Sequence, residues 1–150
     1  MGTKIENLDL KILKELQRDG RVSFRDIAEK LGVAEGTIYN HVSKLEEKGI
    51  IKRFMADIDF TKLGYDLIVA IGVMVEGGSL PQIEENIGKS PNVTAVYDVT
   101  GEYDAIVIAR FSERSELNDF VKGLLSIAGV KRTNTMMILN VMKDTHGVEL

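Results

Sequence analysis

The stretch Ser23-Phe24-Arg25-Asp26-Ile27-Ala28-Glu29-Lys30-Leu31-Gly32-Val33-Ala34-Glu35-Gly36-Thr37-Ile38-Tyr39-Asn40-His41-Val42-Ser43-Lys44-Leu45-Glu46-Glu47-Lys48-Gly49 reads as two helices and the turn between them. Ile27, Ala28 and Leu31 line one face of the first, and Ile38, Val42 and Leu45, spaced by four and three, line the second. Ser23 followed by Asp26 resembles a capping box with Asp in the place of Glu or Gln. Gly32 closes the first helix and only Val33-Ala34 separates it from the second, which ends at Gly49. Small Ala28 stands just before the turn, where bulk would hold the two helices apart. A tight Gly-containing junction of this kind is a helix-turn-helix.

The expected exposed face of the second helix carries Gly36, Thr37, Tyr39, Asn40, His41, Ser43 and Lys44, groups of a length suited to phosphates and base edges. Arg21, Ser23, Arg25, Lys48, Lys52 and Arg53 flank it and complete the candidate DNA contacts. A helical hairpin with a merely solvated polar face would share this spacing. Working outward, Leu8, Ile12, Leu13 and Leu16 form a preceding helical stripe, and Asp19-Gly20 supplies a turn in which Gly is free to take positive φ. Downstream, Ile50 to Ile58 is a β-prone run with Lys52 and Arg53 near its start.

The second half has a different grammar. Leu67 to Val75 is almost continuously apolar, as in a strand buried on both faces. Ser79 with Gln82 looks like a capping box, and Leu80, Ile83 and Ile87 give a helical stripe. Val93, Ala95, Tyr97 and Val99 alternate with polar residues, Gly101-Glu102-Tyr103-Asp104 makes a hairpin turn, and Ala105 to Phe111 is a second buried strand. Ser112 can cap a helix with Leu117, Phe120, Val121, Leu124 and Leu125 on its stripe, ended by Gly129; Val130 to Met142 is the last strand, its methionines core filler. Leu80, Ile83, Ile87 and Val93 recur 37 positions later as Leu117, Phe120, Leu124 and Val130. Two such units in tandem make an α+β, ferredoxin-like βαββαβ domain: an antiparallel four-stranded sheet with both helices on one face. Its bare face is apolar, and a second copy is the simplest cover, so a homodimer is expected.

Composition narrows the chemistry. The chain has 150 residues, is 44% hydrophobic and 28% charged, and contains no Cys and two His, His41 and His146. Thiolate sites, disulfides and histidine-based triads or metal sites are therefore nearly excluded, no catalytic motif stands out, and no cofactor or metal is expected. No run approaches the ~18 apolar residues of a membrane span and no basic-then-apolar leader opens the chain, which suggests a cytoplasmic protein. Net charge is −4, but residues 1–55 hold 11 Lys/Arg against 9 Asp/Glu while residues 56–150 hold 8 against 14. The two halves are suited to different partners.

In order and spacing the chain resembles the Lrp/AsnC (feast/famine) transcription regulators over essentially its whole length. The matching stretches are Leu8-Asp9 with Ile12-Leu13, Leu16 to Arg21, Ile27-Ala28 with Leu31-Gly32-Val33, Thr37-Ile38 with Lys44-Leu45-Glu46, and Gly49-Ile50-Ile51 with Asp57-Ile58-Asp59. Leu63-Gly64-Tyr65, Val99 to Asp104 and Arg132 to Thr135 follow. The resemblance implies a winged helix-turn-helix over 1–53, a linker strand and turn over 54–64, and a ferredoxin-like (RAM/ACT-like) dimerisation and effector-binding domain over 65–150. It further implies double-stranded DNA and a small amino acid as partners, a homodimer assembling to an octamer, and an effector held by Thr100, Gly101, Glu102, Tyr103 and Asp104 with Thr133 and Thr135. Two departures stand out: family members commonly carry basic residues where this chain has Asn40-His41, and Ser where it has Ala34. The latter removes a side-chain cap and leaves Glu35 and backbone amides to serve the helix start. The expected function is a sequence-specific DNA-binding regulator modulated by an effector. The alternative is an amino-acid-sensing module that regulates a protein partner without DNA, but Lys52-Arg53 and a polar rather than apolar helix face favour the first.

Overall fold

The computed structural model describes residues 5–76, 80–145 and 147–150. It divides into two compact units, one of residues up to Asp57 with Asp144–Leu150, the other Ile58–Lys143.

The first unit holds α1 (Asn7–Arg18), α2 (Phe24–Leu31) and α3 (Glu35–Glu47). Ile12, Ile27, Ala28, Ile38 and Val42 form its buried centre, with Leu8, Leu16, Val22, Phe24, Leu31, Val33 and Ile51 packed around them. These are the apolar stripes of the sequence turned toward one another. Ser23 Oγ accepts the Asp26 N–H at 3.0 Å, so the expected N-cap forms. Gly32 takes φ +68° and stops α2, the left-handed conformation that favours glycine. Gly20 does not use positive φ; the turn after α1 is made instead by Asp19, whose Oδ1 accepts the Arg21 N–H at 2.9 Å.

Lys52 to Asp59 runs on without forming a strand, and its side chains are exposed, Phe54, Met55 and Ile58 among them. The β-prone pattern at 50–58 is real, but a strand exists only through a ladder partner, and none is present among the described residues of the single chain. The C-terminal segment groups with this unit rather than with the second domain. The Gln17 side-chain amide donates to the Val148 carbonyl at 2.6 Å and accepts the Leu150 N–H at 3.1 Å. One primary amide thereby satisfies two extended backbone groups, as a neighbouring strand would.

The second unit contains β1 (Leu67–Val75), α4 (Leu80–Gly88), β2 (Val93–Asp98), β3 (Ala105–Phe111), α5 (Arg114–Leu125) and β4 (Val130–Met137). The sheet order is β2-β3-β1-β4, all antiparallel, as the ferredoxin-like reading requires. Val69, Ile71 and Val73 of β1 and Ala105, Val107, Ala109 and Phe111 of β3 form one face, buried with Ile83 and Ile87 of α4 and Leu124 of α5. Ala70 and Met74 with Ile106 and Ile108 form the other face, which no helix covers.

Several local expectations change. A bulge between Val93 and Ala95 resets the alternation of β2: Val93 and Val96 pack on the core, whereas Ala95 and Tyr97 pair with Ile108 and Ile106 on the open face. The helix α5 is opened by Glu113, whose N–H donates to Glu116 Oε2 at 3.3 Å, and Ser112 joins the same carboxylate from one residue earlier. It ends at Leu125, with Gly129 placed instead at φ +95° just before β4. The last strand stops at Met137, so Met136, Met137 and Met142 are exposed rather than core filler. Ser79 of the expected cap of α4 lies outside the described residues.

Candidate nucleic-acid interface and effector loop

Tyr39 and Asn40 project from α3 into solvent beside Gly36 and Lys44, with Lys48 at the helix end and Lys52 and Arg53 following it. Tyr39 is 60% exposed, yet its ring leans edge-on against Phe24 of α2, centroids 6.4 Å apart, which fixes the phenol at the surface. Thr37 and Ser43 are half-buried at the margins. Ala34 provides no side-chain cap, so the amides of the first turn of α3 lack a side-chain partner there. Ser23 spends its acceptor on the α2 cap and keeps a hydroxyl proton to donate.

The flanking cations fall into two groups. Arg21 lies 3.7 Å from Asp19 and Arg25 3.1 Å from Glu29, both pairs exposed. Such pairs are worth little and can exchange a carboxylate for a phosphate. Lys44, Lys48, Lys52 and Arg53 have no ion-pair partner among the described residues.

His41 departs from the expected exposed face. Its Nδ1 lies 2.7 Å from Asp9 Oδ1 in α1, and its side chain is only 17% exposed. Asp9 Oδ2 accepts the Glu6 N–H at 2.9 Å, so this one carboxylate ties the start of α1 to the middle of α3. Burial raises the Asp9 carboxyl, but the His41 bond, the Glu6 N–H and the charges of His41 and Lys48 outweigh it and hold the group below the usual aspartate range. Helical spacing placed His41 with the polar residues; the carboxylate that turns it inward lies 32 residues away.

In the second unit, the loop Val99 to Asp104 joins β2 to β3, with Gly101 at φ +128° and both Gly101 and Glu102 exposed. Asp104 is sewn into the fold: its N–H donates to the Val73 carbonyl at 2.9 Å and its Oδ2 accepts the Val75 N–H at 2.7 Å. The register of β1 with β4 shifts between Met74 and Val75, and the Asp104 carboxylate serves the amide at that irregularity. Tyr103 lies on the open face against Gly72, and its hydroxyl accepts Asn134 Nδ2 at 2.7 Å.

Thr133 and Thr135 pair with Val73 and Ile71, whereas Asn134 pairs with Gly72. Directly opposed residues share a sheet face, so both threonines stand on the helix side and Asn134 on the side of Tyr103. The structure therefore brings together Tyr103, Gly72 and Asn134, and separates Thr133 and Thr135 from the Tyr103 ring. Alternation in β4 was readable; which alternate set faced Tyr103 depended on a register that the sequence does not print. Thr100 is exposed at the loop entrance.

No described helix is long and apolar enough to cross a membrane, and no group of three or more metal-ligating side chains occurs among the described residues. Residues 5–52 match the winged helix-turn-helix DNA-binding family, and residues 68–148 match the Lrp/AsnC ligand binding domain. An HTH-type transcriptional regulator of Pyrococcus horikoshii is 48% identical over 146 residues, covering 97% of this chain and 99% of the relative. The HTH-type transcriptional regulator FL11 of the same organism is 40% identical over 145 residues, covering 97% and 96%. The structure of Escherichia coli AsnC superimposes with a TM-score of 0.89 at 25% identity, covering 99% of this chain and 100% of that one. With both units matched in order along the chain, this protein belongs to the Lrp/AsnC family of transcriptional regulators.

Proposed function

We propose that α3 reads double-stranded DNA and that an amino acid bound beside the Gly101–Asp104 loop modulates that binding through the assembly of the chain. The observation that carries the DNA reading is the surface of α3: Tyr39, Asn40 and Lys44 are exposed, and Lys44, Lys48, Lys52 and Arg53 lack ion-pair partners among the described residues. A chain of net charge −4 must bind DNA through such a local concentration rather than its overall field. Asn40 can pair with adenine, and Lys44 is suited to phosphate.

A second copy covers the open sheet face, where Ala70, Met74, Ile106 and Ile108 are joined by Tyr97 and Met136, and also engages the apolar side chains of Phe54, Met55 and Ile58. A dimer presents two α3 helices, and its operator is a pseudo-palindrome with half-sites roughly 34–36 Å apart or a multiple of that spacing. For the effector, the amides of Gly101 and Glu102 make no hydrogen bond among the described residues and suit a carboxylate. The exposed Glu102 carboxylate suits an ammonium. Asp104 positions the loop.

Gel-shift titration against genomic fragments tests the reading. Lys44→Ala is expected to weaken all sequences alike and to flatten the salt slope by roughly one unit. Asn40→Ala is expected to change base preference instead, with roughly 1–3 kcal/mol of discrimination lost at one position. A footprint unaffected by either change removes α3 from the contact. Calorimetry with the twenty amino acids on the unmodified chain and on Glu102→Ala tests the sensor; no heat from any of them leaves the segment a plain turn.

A further inference from the structure

We propose that His41 is a positioning residue for α3, fastening it to α1 through Asp9 so that DNA affinity follows the charge state of the imidazole. The proposal rests on the reading of α3 as the DNA-contacting helix. His41 sits one residue from Asn40 but turns inward, with Nδ1 2.7 Å from Asp9 Oδ1. Asp9 is itself 6% exposed and immobilised by the Glu6 N–H at 2.9 Å, so the anchor is rigid.

An ionised carboxylate only accepts, so Nδ1 carries the proton of this contact in both charge states of the ring. Neutral imidazole makes an ordinary N–H···O bond; imidazolium makes a charge-assisted one, about twice as strong. The tie between α1 and α3 therefore has two strengths, one for each charge state of the ring. An arginine or lysine at this position would give only the stronger one.

Other charges do not substitute for the pair. On α3, Lys44 and Lys48 lie one and two turns beyond His41, and Lys48 acts on Asp9 without bonding to it. On α1, Glu6 reaches Asp9 through its backbone N–H. On α2, Arg25 is paired with Glu29, Lys30 with Glu15 of α1, and Asp26 is exposed. None of these is an imidazole.

The test is operator affinity of the full-length chain at fixed ionic strength, measured at intervals from pH 5.5 to 8.5. The unmodified protein is expected to bind about three- to tenfold more tightly at the acid end. His41→Arg is expected to bind tightly with no pH dependence, and His41→Gln weakly with none. Both variants leave the Asp9–Glu6 contact intact, so they remain informative if Asp9→Asn fails to fold. His146→Gln, which removes the only other histidine, is expected to keep the slope.

Asp9→Asn separates positioning from a direct phosphate contact. If His41 acted on DNA itself, freeing it from Asp9 would keep or steepen the pH dependence. If it acts through Asp9, the dependence disappears. A slope retained in Asp9→Asn or in His41→Arg overturns the proposal while leaving α3 as the DNA helix. Absence of binding by every protein at every pH overturns the DNA reading itself.

Discussion

The ring of Tyr103 fills the space that a side chain on Gly72 would need: a Cβ built at residue 72 would stand 2.6 Å from the Tyr103 Cδ1 atom. No φ constraint selects glycine at this strand position; the absence of a Cβ does. Gly72→Ala is therefore expected to lift Tyr103 from the sheet and break its bond from Asn134, at a cost of about 1–3 kcal/mol in stability. Tyr103→Ala removes the obstacle, so the double variant should be less destabilised than the sum of the two singles. Thermal or denaturant unfolding of the four proteins of this cycle measures the coupling, and simple additivity would show that the contact carries no strain.

That contact also marks where the sequence stopped being legible. The stripes of α1, α2 and α3 and the two-sided apolar runs of β1 and β3 follow from period alone, and all of them form. What period cannot supply is the identity of a distant partner. By spacing His41 is one more polar residue on α3; it is the Asp9 carboxylate that holds it inward. Alternation puts Thr133 and Thr135 on one face, but pairing with Val73 and Ile71 decides which face. The bulge at Ala95 moved Tyr97 to the open side, and the run at 50–58 kept its β-propensity without a strand to pair with. Each of these turns on a register or an anchor set elsewhere in the chain.

The two apolar faces of the sheet predict opposite phenotypes for the same substitution. Ile71 is fully buried on the helix side, and Ile71→Asp is expected to prevent folding, since a buried unpaired charge costs several kcal/mol. Ile108 pairs with Ala70 on the open face, and Ile108→Asp is expected to yield a folded, soluble monomer. Sedimentation combined with circular dichroism separates these outcomes. A unmodified chain that sediments as a monomer at micromolar concentration would refute the second-copy reading of that face.

Asp9 gives the first unit an acid limb. Its carboxyl titrates below the ordinary value of 3.8, chiefly because the His41 bond and the Glu6 N–H overcome the cost of burial. A depressed carboxyl contributes stability that is present above the unfolded value and lost as pH falls through the folded one. Unfolding of the unmodified chain is therefore expected to become easier below about pH 4, and Asp9→Asn to lose about 1–3 kcal/mol at pH 7 but much less at pH 3. Equal destabilisation at both pH values would assign Asp9 a packing role alone.

Glu84 of α4 runs in the opposite sense. Its Oε1 is buried with no hydrogen-bond partner among the described residues, and burial, reinforced by the negative charge of Asp98, pushes its carboxyl above the ordinary value of 4.5. A raised carboxyl favours the folded state fully below its unfolded value, and that contribution is lost as pH rises through the folded one. At pH 7 the ionised group is thus a net liability of the native chain. Glu84→Leu removes both the charge and the orphaned oxygen and is expected to stabilise by about 0.5–1 kcal/mol at pH 7, with a smaller gain near pH 4. Asp98→Asn leaves Glu84 in place but lifts the repulsion, so it should recover only part of that gain and lower the pH at which the liability is complete. Denaturant unfolding of the three proteins at both pH values checks the order. Destabilisation by Glu84→Leu at pH 7 would mean that the carboxylate is serving a partner that the single chain lacks.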